Sequence, residues 1–503
     1  MNALPDKLLP TLVAQCNVVC DRTCRLRQCC DRKSSKLLHD TQQMDRCNRR
    51  DDRNMSEMNP ISDFIEKVRR LWRRIKIPRY IAIAILSCLG VLVVGLAALS
   101  QQPVTISFLV RALEGDQLQM LVEDFEAENP DIRIDIVRGP NAADSVEDLY
   151  TASFLLGDSP YDLVFADIVW IPKFAAAGWL TDLSDRISED ELSDFLEADV
   201  EAGQVQDGFY RMPFRSDVGM LYYRTDLLDE AGLEPPETFE DLITASQTLQ
   251  DEDLVEWGYV WQGLQYEGLS AGFVEILEGH GGYWIDPETN EVGLDQPEAI
   301  AAVNFLRETI ESDISPDGVT NYLEEDTLRV FRNGNAAFLR NWPYVWPEVN
   351  KDSSEIQGQV ALKPMVHEPG ENSGACQGGW GFGISSTTPH PDEAWRVVEY
   401  FTSQDAQRKF VTEYGYVPSR KSLFTDPQVL EAYDHYDQLL EVAQQAGLRP
   451  PIAQYAQASD VLQRYLSSAI TGQMDPEQAM QRAAGETRRI LGTDTQDENT
   501  SEA

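Results

Sequence analysis

Apolar residues follow two alternating periods along the first part of the folded body. Val104–Val110 and Ile132–Val137 have the composition and alternation of β-strands. Between and after them, Leu118–Phe125 and Val146–Phe154 place apolar residues at spacings of three and four, as in amphipathic helices. Asp162–Asp167 then predicts a buried strand that ends in a carboxylate. These repeated strand–helix units predict a mostly parallel sheet with helices on both faces, and ligands of such sheets bind beyond the carboxyl ends of the strands.

A second set of strand and helix signals starts at Gly219. Met220–Arg224 and Trp257–Trp261 predict strands, and Thr238 begins a helix through a capping box with Asp241. Because 503 residues are too many for one core, two sets of signals indicate two lobes. Further elements are predicted as an amphipathic helix at 297–310, short strands at 360–362 and 381–384, and helices near 391–403, 405–414, 427–446 and 458–491.

The segment Arg340–Trp346 carries three aromatic residues at every second position. It follows the strand-like run Ala336–Leu339, and its proline disfavours helix. We therefore predict an extended loop with Trp342, Tyr344 and Trp346 on one side. Flat aromatic side chains suit the apolar C–H faces of a sugar ring; the alternative is that they fill a core.

A run of 19 apolar or small residues, Ile81–Leu99, is long enough to cross a bilayer as a helix. Basic residues precede the run and none follow it closely, which places the N-terminus in the cytoplasm and the body outside. We predict a transmembrane anchor at 80–100 behind a disordered basic leader at 1–79, and a disordered tail at 492–503. A cleaved signal peptide, with Gly95–Ala97 near its cleavage site, is the alternative.

Charge and cysteine content narrow the possible partners. Residues 1–100 carry 18 Lys and Arg against 10 Asp and Glu, so the remainder has a net charge of −50. Such a body repels nucleic acid, which we therefore exclude as a partner. Seven of the eight cysteines lie in residues 1–88, so the body, with Cys376 alone, has no intrachain disulfide.

Motifs of common catalytic sites are missing from the sequence. It has no phosphate-binding glycine loop, no HExxH, no Gly-x-Ser-x-Gly, and no histidines at metal-ligand spacing. We therefore predict no catalytic residues, no cofactor and no metal. What remains are three loops rich in aromatic, amide and glycine residues, at 261–268, 341–346 and 377–382. In the last, the backbone of Gly378 and Gly379 and the indole of Trp380 can bind hydroxyls and a ring face together.

Four segments resemble the trehalose- and maltose-binding proteins of ABC importers: Trp257–Gly268, Gly334–Phe338, Arg340–Tyr344 and Gly378–Trp380. The resemblance covers nearly all of residues 104–491. It implies an α/β, two-lobed periplasmic-binding-protein fold of type II, like maltose-binding protein, that closes on a sugar like a hinge. It also implies docking on the importer's membrane subunits without catalytic activity. We assign 104–214 plus 364–414 to lobe 1 and 215–363 plus 415–491 to lobe 2.

The resemblance also implies which residues contact the sugar: Glu114, Asp167, Asp217, Trp342, Tyr344, Gly378, Trp380 and Arg449. Two departures affect the pocket. Arg215 stands where relatives have an aromatic, and Ser145–Asp148 lacks their arginine pair. Arg215 either contacts the ligand or pairs with Asp217 and narrows the pocket. Alternatively, Asp167 caps a helix and Arg449 is a surface charge.

These observations together lead to a hypothesis about function. The sequence indicates a monomeric, extracytoplasmic solute-binding protein, either tethered to the cytoplasmic membrane or secreted. We expect it to bind a small glucoside or disaccharide of the trehalose, maltose, sucrose or glucosylglycerol class and to feed an ABC permease. Because carboxylates are abundant, a glycoside-processing enzyme is an alternative, and a sugar-sensing ectodomain is another.

Overall fold

The computed structural model describes residues 103–493 except 158 and 288, together with 78, 80, 81, 83, 84, 87 and 88. The chain divides into two compact units, Met1–Gly95 and Leu96–Ala503. In the first unit, the described residues from 80 onward are helical. The rest of the predicted leader and anchor, and the tail from 494, lie outside the described residues. Within the part of the chain that is described, no helix has the length and apolar character needed to span a bilayer.

The strands of the second unit are short, and many are fully buried. In chain order they are β1 Val104–Arg111, β2 Ile132–Gly139, β3 Leu163–Asp167, β4 Gln204–Val205, β5 Gly208–Phe209, β6 Met212–Val218, β7 Met220–Arg224, β8 Trp257–Val260, β9 Ala336–Asn341, β10 Val360–Lys363, β11 Gln377–Ile384 and β12 Val417–Pro418.

Helices lie between these strands and continue to the end of the unit. They are α1 Ala112–Gln117, α2 Gln119–Glu128, α3 Ala143–Leu155, α4 Ile171–Ala176, α5 Glu189–Leu192, α6 Glu197–Glu201, α7 Thr225–Ala231, α8 Phe239–Asp251, α9 Glu267–Gly279, α10 Pro297–Glu311, α11 Glu324–Arg332, α12 Val345–Val349, α13 Pro391–Phe401, α14 Gln404–Tyr414, α15 Pro427–Ala432, α16 Tyr436–Gln445, α17 Tyr455–Ile470 and α18 Pro476–Leu491.

Two four-stranded sheets form the cores of two lobes. The first has the order β12-β6-β11-β3, with the parallel pair β1-β2 beside β3, and the second has the order β10-β7-β9-β8. The prediction of a mostly parallel sheet was wrong. Strands β6, β7, β10 and β11 pair antiparallel with their neighbours, because the chain passes between the lobes and returns.

The chain passes from one lobe to the other at three places. The first passage is Gly219, between β6 and β7, and the second is 364–376, between β10 and β11. The third is 446–454, after which α17 packs against α10 of the second lobe. Val417–Pro418 was assigned to the second lobe but pairs with β6, so this strand belongs to the first sheet. The limit predicted between 214 and 215 is also too early, because it falls within β6 of the first sheet, whereas the limit between 363 and 364 stays a prediction.

Most predicted elements are present, and the capping box of Thr238 with Asp241 is confirmed. The predicted helix at 458–491 is two helices, because Gly472 adopts a left-handed conformation and Asp475 caps a new helix. The helix predicted at 427–446 is likewise interrupted between 432 and 436. Residues 377–380, predicted as a loop, belong to β11.

The aromatic segment after β9 is not extended as predicted. Tyr344 has helical backbone angles, φ −59° and ψ −14°, and helix α12 starts at the next residue. This turn separates the three aromatic side chains. Trp342 and Tyr344 line the cleft between the lobes. Trp346 instead packs against His435, with ring centroids 4.6 Å apart.

A buried ion pair lies beside the first passage. Arg340 of β9 donates from Nε to Glu275 Oε2 of α9 at 2.7 Å, and both side chains are buried. A Cβ at Gly219 would overlap the Glu275 carboxylate and approach Arg340 Nη2 to 2.7 Å. Glycine is therefore required here by the close approach of the ion pair to the backbone.

We expect Gly219→Ala to lower the free energy of unfolding by roughly 1–3 kcal/mol, because the methyl group displaces the ion pair. Gly272→Ala is the matched control: it lies within α9, where an added Cβ meets no atom within 4 Å apart from the backbone of its own helix. The control should be neutral or stabilise by up to about 1 kcal/mol. Chemical denaturation measures both, and equal effects would disprove the steric argument.

Candidate functional site

A cleft of about 640 Å³, including space open to solvent, lies between the two lobes. Nine of the ten predicted ligand-binding residues line it, and Glu114 lies behind the wall. The lining residues are Arg111, Leu113, Ala143, Asp167, Arg215, Asp217, Tyr266, Glu267, Gly268, Ala271, Glu324, Glu325, Trp342, Tyr344, Gly378, Gly379, Trp380, Tyr416 and Arg449.

Glu114 is fully buried and holds two of the cleft's arginines. Both carboxylate oxygens accept hydrogen bonds from Arg111 Nε at 3.0 Å, and Oε1 accepts one from Arg215 Nη2 at 3.1 Å. Arg215 also pairs with Asp217, as one sequence interpretation predicted. Burial alone would raise the pKa of Glu114, but Arg111 and Arg215 lower it below its ordinary value of 4.5. Glu114 therefore positions guanidiniums rather than facing the cleft.

Arg449 joins carboxylates from both lobes. Its Nη2 donates to Asp167 Oδ1 at the end of β3, at 3.0 Å, and its Nη1 pairs with Glu267 at the start of α9. The interpretation of Arg449 as a surface charge was wrong, since its exposed fraction is 4%. Asp167 also accepts a bond from the Val169 amide, so it caps the following turn as well. Burial raises the pKa of Glu267 to about 7, against the opposing charge of Arg449.

Trp380 forms part of an aromatic wall in the first lobe. Its ring stacks on Phe165 at 5.1 Å and contacts Trp170 edge-on at 5.3 Å. The guanidiniums of Arg111 and Arg215 lie 4.8 Å and 5.8 Å from its ring centroid. These contacts fix the indole before any ligand arrives.

Trp342 and Tyr344 form the facing wall in the second lobe. The Arg340 guanidinium lies 4.1 Å from the Trp342 ring centroid, and Trp342 Nε1 donates to Glu324 Oε1 at 3.4 Å. Tyr344 is 8% exposed, and its hydroxyl has no hydrogen-bond partner among the described residues.

Gly378 and Gly379 let β11 pass close to both walls. A Cβ at Gly378 would come within 3.2 Å of the Trp342 ring and 3.1 Å of Asp217 Cβ. Gly379 has a φ of +154°, which side-chain-bearing residues rarely adopt. The pairing register of β11 with β6 shifts just after Trp380. This irregular strand directs the Trp380 side chain into the cleft.

Several lining residues were not predicted. Tyr266 and Glu267 lie in the Trp257–Gly268 motif, so that motif was the available signal. Glu324 and Glu325 begin helix α11, where acidic residues are ordinary. Arg111 and Tyr416 carry no local signal that separates them from structural residues.

The lobes contact each other directly beside the cleft. Asp144 of α3 accepts hydrogen bonds from the Glu267 amide and from Gln463 Nε2, both at 3.2 Å. Burial raises the pKa of Asp144 to about 6. This carboxylate therefore bridges the first lobe to the N-terminus of α9 in the second.

The family model of the bacterial extracellular solute-binding proteins matches residues 111–408. A probable ABC transporter-binding protein of Deinococcus radiodurans is 30% identical over 413 residues, which cover 80% of this chain and 98% of that protein. The chain belongs to the bacterial extracellular solute-binding proteins. Membership of this family supports an extracytoplasmic location for the solute-binding protein.

Two solved structures support the same assignment. Maltose-bound MalE3 of T. maritima is 36% identical, with a TM-score of 0.74, and the match covers 77% of this chain and all of that one. A solute-binding protein of Thermotoga lettingae with bound α-D-tagatose is 25% identical, with a TM-score of 0.71 and the same coverage. The predicted resemblance to sugar-binding proteins of ABC importers is confirmed, as is the two-lobed, maltose-binding-protein-like α/β fold.

We expect Glu114→Gln to lower the free energy of unfolding of this solute-binding protein by about 3–5 kcal/mol, since Arg111 and Arg215 would lose their shared charge. The pKa of Glu114 is lowered on folding, so its stabilisation is complete above about pH 4.5 and is lost as the pH falls. Chemical denaturation between pH 3 and 7 should thus show a shallower acid decline in the variant.

Glu308→Gln, at an exposed position of α10, is the matched control and should keep the wild-type profile. If Glu114→Gln shows the same acid decline as wild type, Glu114 does not carry the linkage.

Proposed function

We propose that this protein is the substrate-binding component of an ABC importer and captures a small glucoside or disaccharide. Candidate ligands are trehalose, maltose, sucrose and glucosylglycerol. The observation that carries the proposal is the cleft itself, where Trp342 and Tyr344 of one lobe face Trp380 of the other. The solved relative with bound maltose supports the same ligand class.

Each part of the cleft has a proposed role. Trp342 and Trp380 stack on the apolar faces of sugar rings, and the amides of Gly378 and Gly379 donate to hydroxyls. Asp217 Oδ1 is buried without a hydrogen-bond partner among the described residues, so it is available to accept a hydroxyl. Asp167 and Arg449 bind hydroxyls from the opposite side. A neutral hydrogen bond contributes only about 0.5–1.5 kcal/mol, so tight binding needs many of them together with stacking.

The two-lobed fold supports a proposal for closure and delivery. We propose that the lobes close around the sugar as a hinge, with the passages at Gly219, 364–376 and 446–454 as the flexing segments. The closed, monomeric protein then docks on the permease subunits. Residues 80–100 tether it to the cytoplasmic membrane, unless they are cleaved as a signal peptide.

Arg215 is proposed to set the specificity of the second subsite. Its guanidinium holds Glu114 and Asp217 and lies 4.1 Å from the Tyr416 ring centroid. It therefore fills space that an aromatic residue would offer to a second sugar ring. A smaller or more polar second unit, as in glucosylglycerol or sucrose, fits this arrangement better than a second glucose.

We expect the wild type to bind glucosylglycerol or sucrose more tightly than maltose, and Arg215→Tyr to shift the preference toward trehalose or maltose by about tenfold or more. Thermal-shift screening followed by calorimetry measures the ranking, because a bound ligand stabilises the folded state. A maltose preference in the wild type, or an unchanged ranking in the variant, would refute the role of Arg215. Cleavage of the disaccharides by the purified protein would favour an enzyme.

We expect Trp342→Ala to weaken glucoside binding by roughly 1–3 kcal/mol, because the variant lacks the stacking surface. Trp395→Ala is the matched control, since Trp395 lies on α13 and does not line the cleft. Calorimetry with the glucoside that the wild type binds most tightly measures the change in affinity. Wild-type affinity in Trp342→Ala would mean that the ring does not contact the sugar.

A further inference from the structure

Two adjacent carboxylates of the cleft differ from the others in their partners. Glu324 and Glu325 begin helix α11 and line the cleft. Neither forms a salt bridge with any residue that the structure describes, although Glu324 Oε1 accepts the weak bond from Trp342 Nε1. By contrast, Asp167, Asp217 and Glu267 each pair with an arginine. This corner of the cleft therefore carries negative charge that no paired arginine neutralises.

Tyr344 provides a second, independent observation at the same corner. Its side chain is more than nine-tenths buried, lines the cleft, and presents a hydroxyl that has no hydrogen-bond partner among the described residues. Burial, together with the charges of Glu325 and Glu324, raises the pKa of this hydroxyl, so it keeps its proton. A buried donor without an acceptor costs free energy unless a ligand supplies one.

The three groups together define the chemistry of a matching ligand. The two carboxylates accept hydrogen bonds, and the tyrosine has a proton to donate. A pair of hydroxyl groups satisfies both demands, because each hydroxyl donates and accepts. An ammonium group satisfies the carboxylates but offers the tyrosine no acceptor.

An anionic group does not fit this corner. The three arginines of the cleft, Arg111, Arg215 and Arg449, are each engaged by carboxylates. A carboxylate or phosphate on the ligand would therefore meet two carboxylates that form no salt bridge with a described residue, and each arginine of the cleft is already paired. Like-charge contacts of this kind strongly disfavour binding.

We propose that Glu324, Glu325 and Tyr344 form a subsite for the second unit of the ligand, which takes a short neutral polyol and rejects an anionic group. The subsite deepens the proposed function and rests on it, since it presupposes that a glucose unit occupies the rest of the cleft. It names the ligand class as glucosides of a small polyol.

The test compares ligands that share glucose and differ in the second unit, using the purified full-length protein and calorimetry at pH 7.5. Glucosylglycerol carries a neutral polyol, glucosylglycerate carries a carboxylate on the same three carbons, and 2-aminoethyl glucoside carries an amine. In the wild type, glucosylglycerol should bind at least about tenfold more tightly than glucosylglycerate, which brings a like charge to the two carboxylates. It should also bind more tightly than the amine, which offers Tyr344 no acceptor.

Variants then test whether Glu324, Glu325 and Tyr344 cause the difference in affinity between these ligands. The double variant Glu324→Gln, Glu325→Gln should reduce the ratio of the affinities for glucosylglycerol and glucosylglycerate by about threefold or more. The matched control is Glu123→Gln with Glu308→Gln, which removes the same charge from exposed helical positions and should leave the ratio unchanged. Tyr344→Phe should weaken glucosylglycerol binding by about threefold or more, without restoring glucosylglycerate binding.

The outcomes separate this inference from the function on which it rests. If no glucoside binds the wild type, the proposed function and the subsite are both overturned. If glucosides bind but the double variant and its control discriminate equally, the subsite alone is overturned. Tighter binding of the amine or of glucosylglycerate by the wild type also overturns it. Circular dichroism verifies folding, and Glu325→Gln alone replaces the double variant if that variant does not fold.

Discussion

The ion pair between Arg340 and Glu275 connects the passage between the lobes to the aromatic wall of the cleft. Two buried charges cost several kcal/mol each unless they are paired in good geometry, so the pair tolerates little displacement. It lies so close to the backbone at Gly219, where the chain passes between the lobes, that there is no room for a Cβ. The same guanidinium lies over the ring of Trp342. One interaction thus holds both the passage between the lobes and the surface proposed for the sugar.

Other charged residues of the cleft are also held in buried pairs. Glu114 fixes Arg111 and Arg215, while Arg449 fixes Asp167 and Glu267. Side chains that are already held by such partners lose little conformational entropy when a ligand arrives. Under the proposed function, the polar atoms without partners among the described residues, such as Asp217 Oδ1 and the Tyr344 hydroxyl, are then the ones that distinguish ligands. In this proposal, recognition is therefore concentrated in a few atoms of the cleft.

Local sequence patterns correctly predicted elements that depend only on neighbouring residues. The capping box at Thr238 and the strand ending at Asp167 depend on neighbouring residues, and both are present. Sheet direction was mispredicted, because antiparallel pairing follows from where the chain returns between lobes. The extended form predicted for the aromatic segment failed for a similar reason, as helix α12 begins directly after Tyr344.

The site shows the same division between local and distant causes. Nine residues of the cleft were predicted from the sequence, seven of them through the resemblance, but their pairing joins residues far apart, such as Arg449 and Asp167. Glu324 and Glu325 were not predicted as cleft residues, because acidic residues are expected where a helix begins. Only the fold shows that these two face the cleft and form no salt bridge with any described residue. Sequence identified the aromatic surfaces, whereas the charge arrangement required the tertiary structure.

The internal pairing of the cleft arginines has a consequence for the conditions under which the protein works. Because their charges are already compensated, a neutral ligand exchanges hydrogen bonds with water and displaces no counter-ions from the guanidiniums. Dissolved salt screens exposed charges over about 8 Å at physiological ionic strength, but it acts far less on buried pairs. Capture of a neutral solute should therefore proceed with nearly constant affinity and association rate from dilute to saline media.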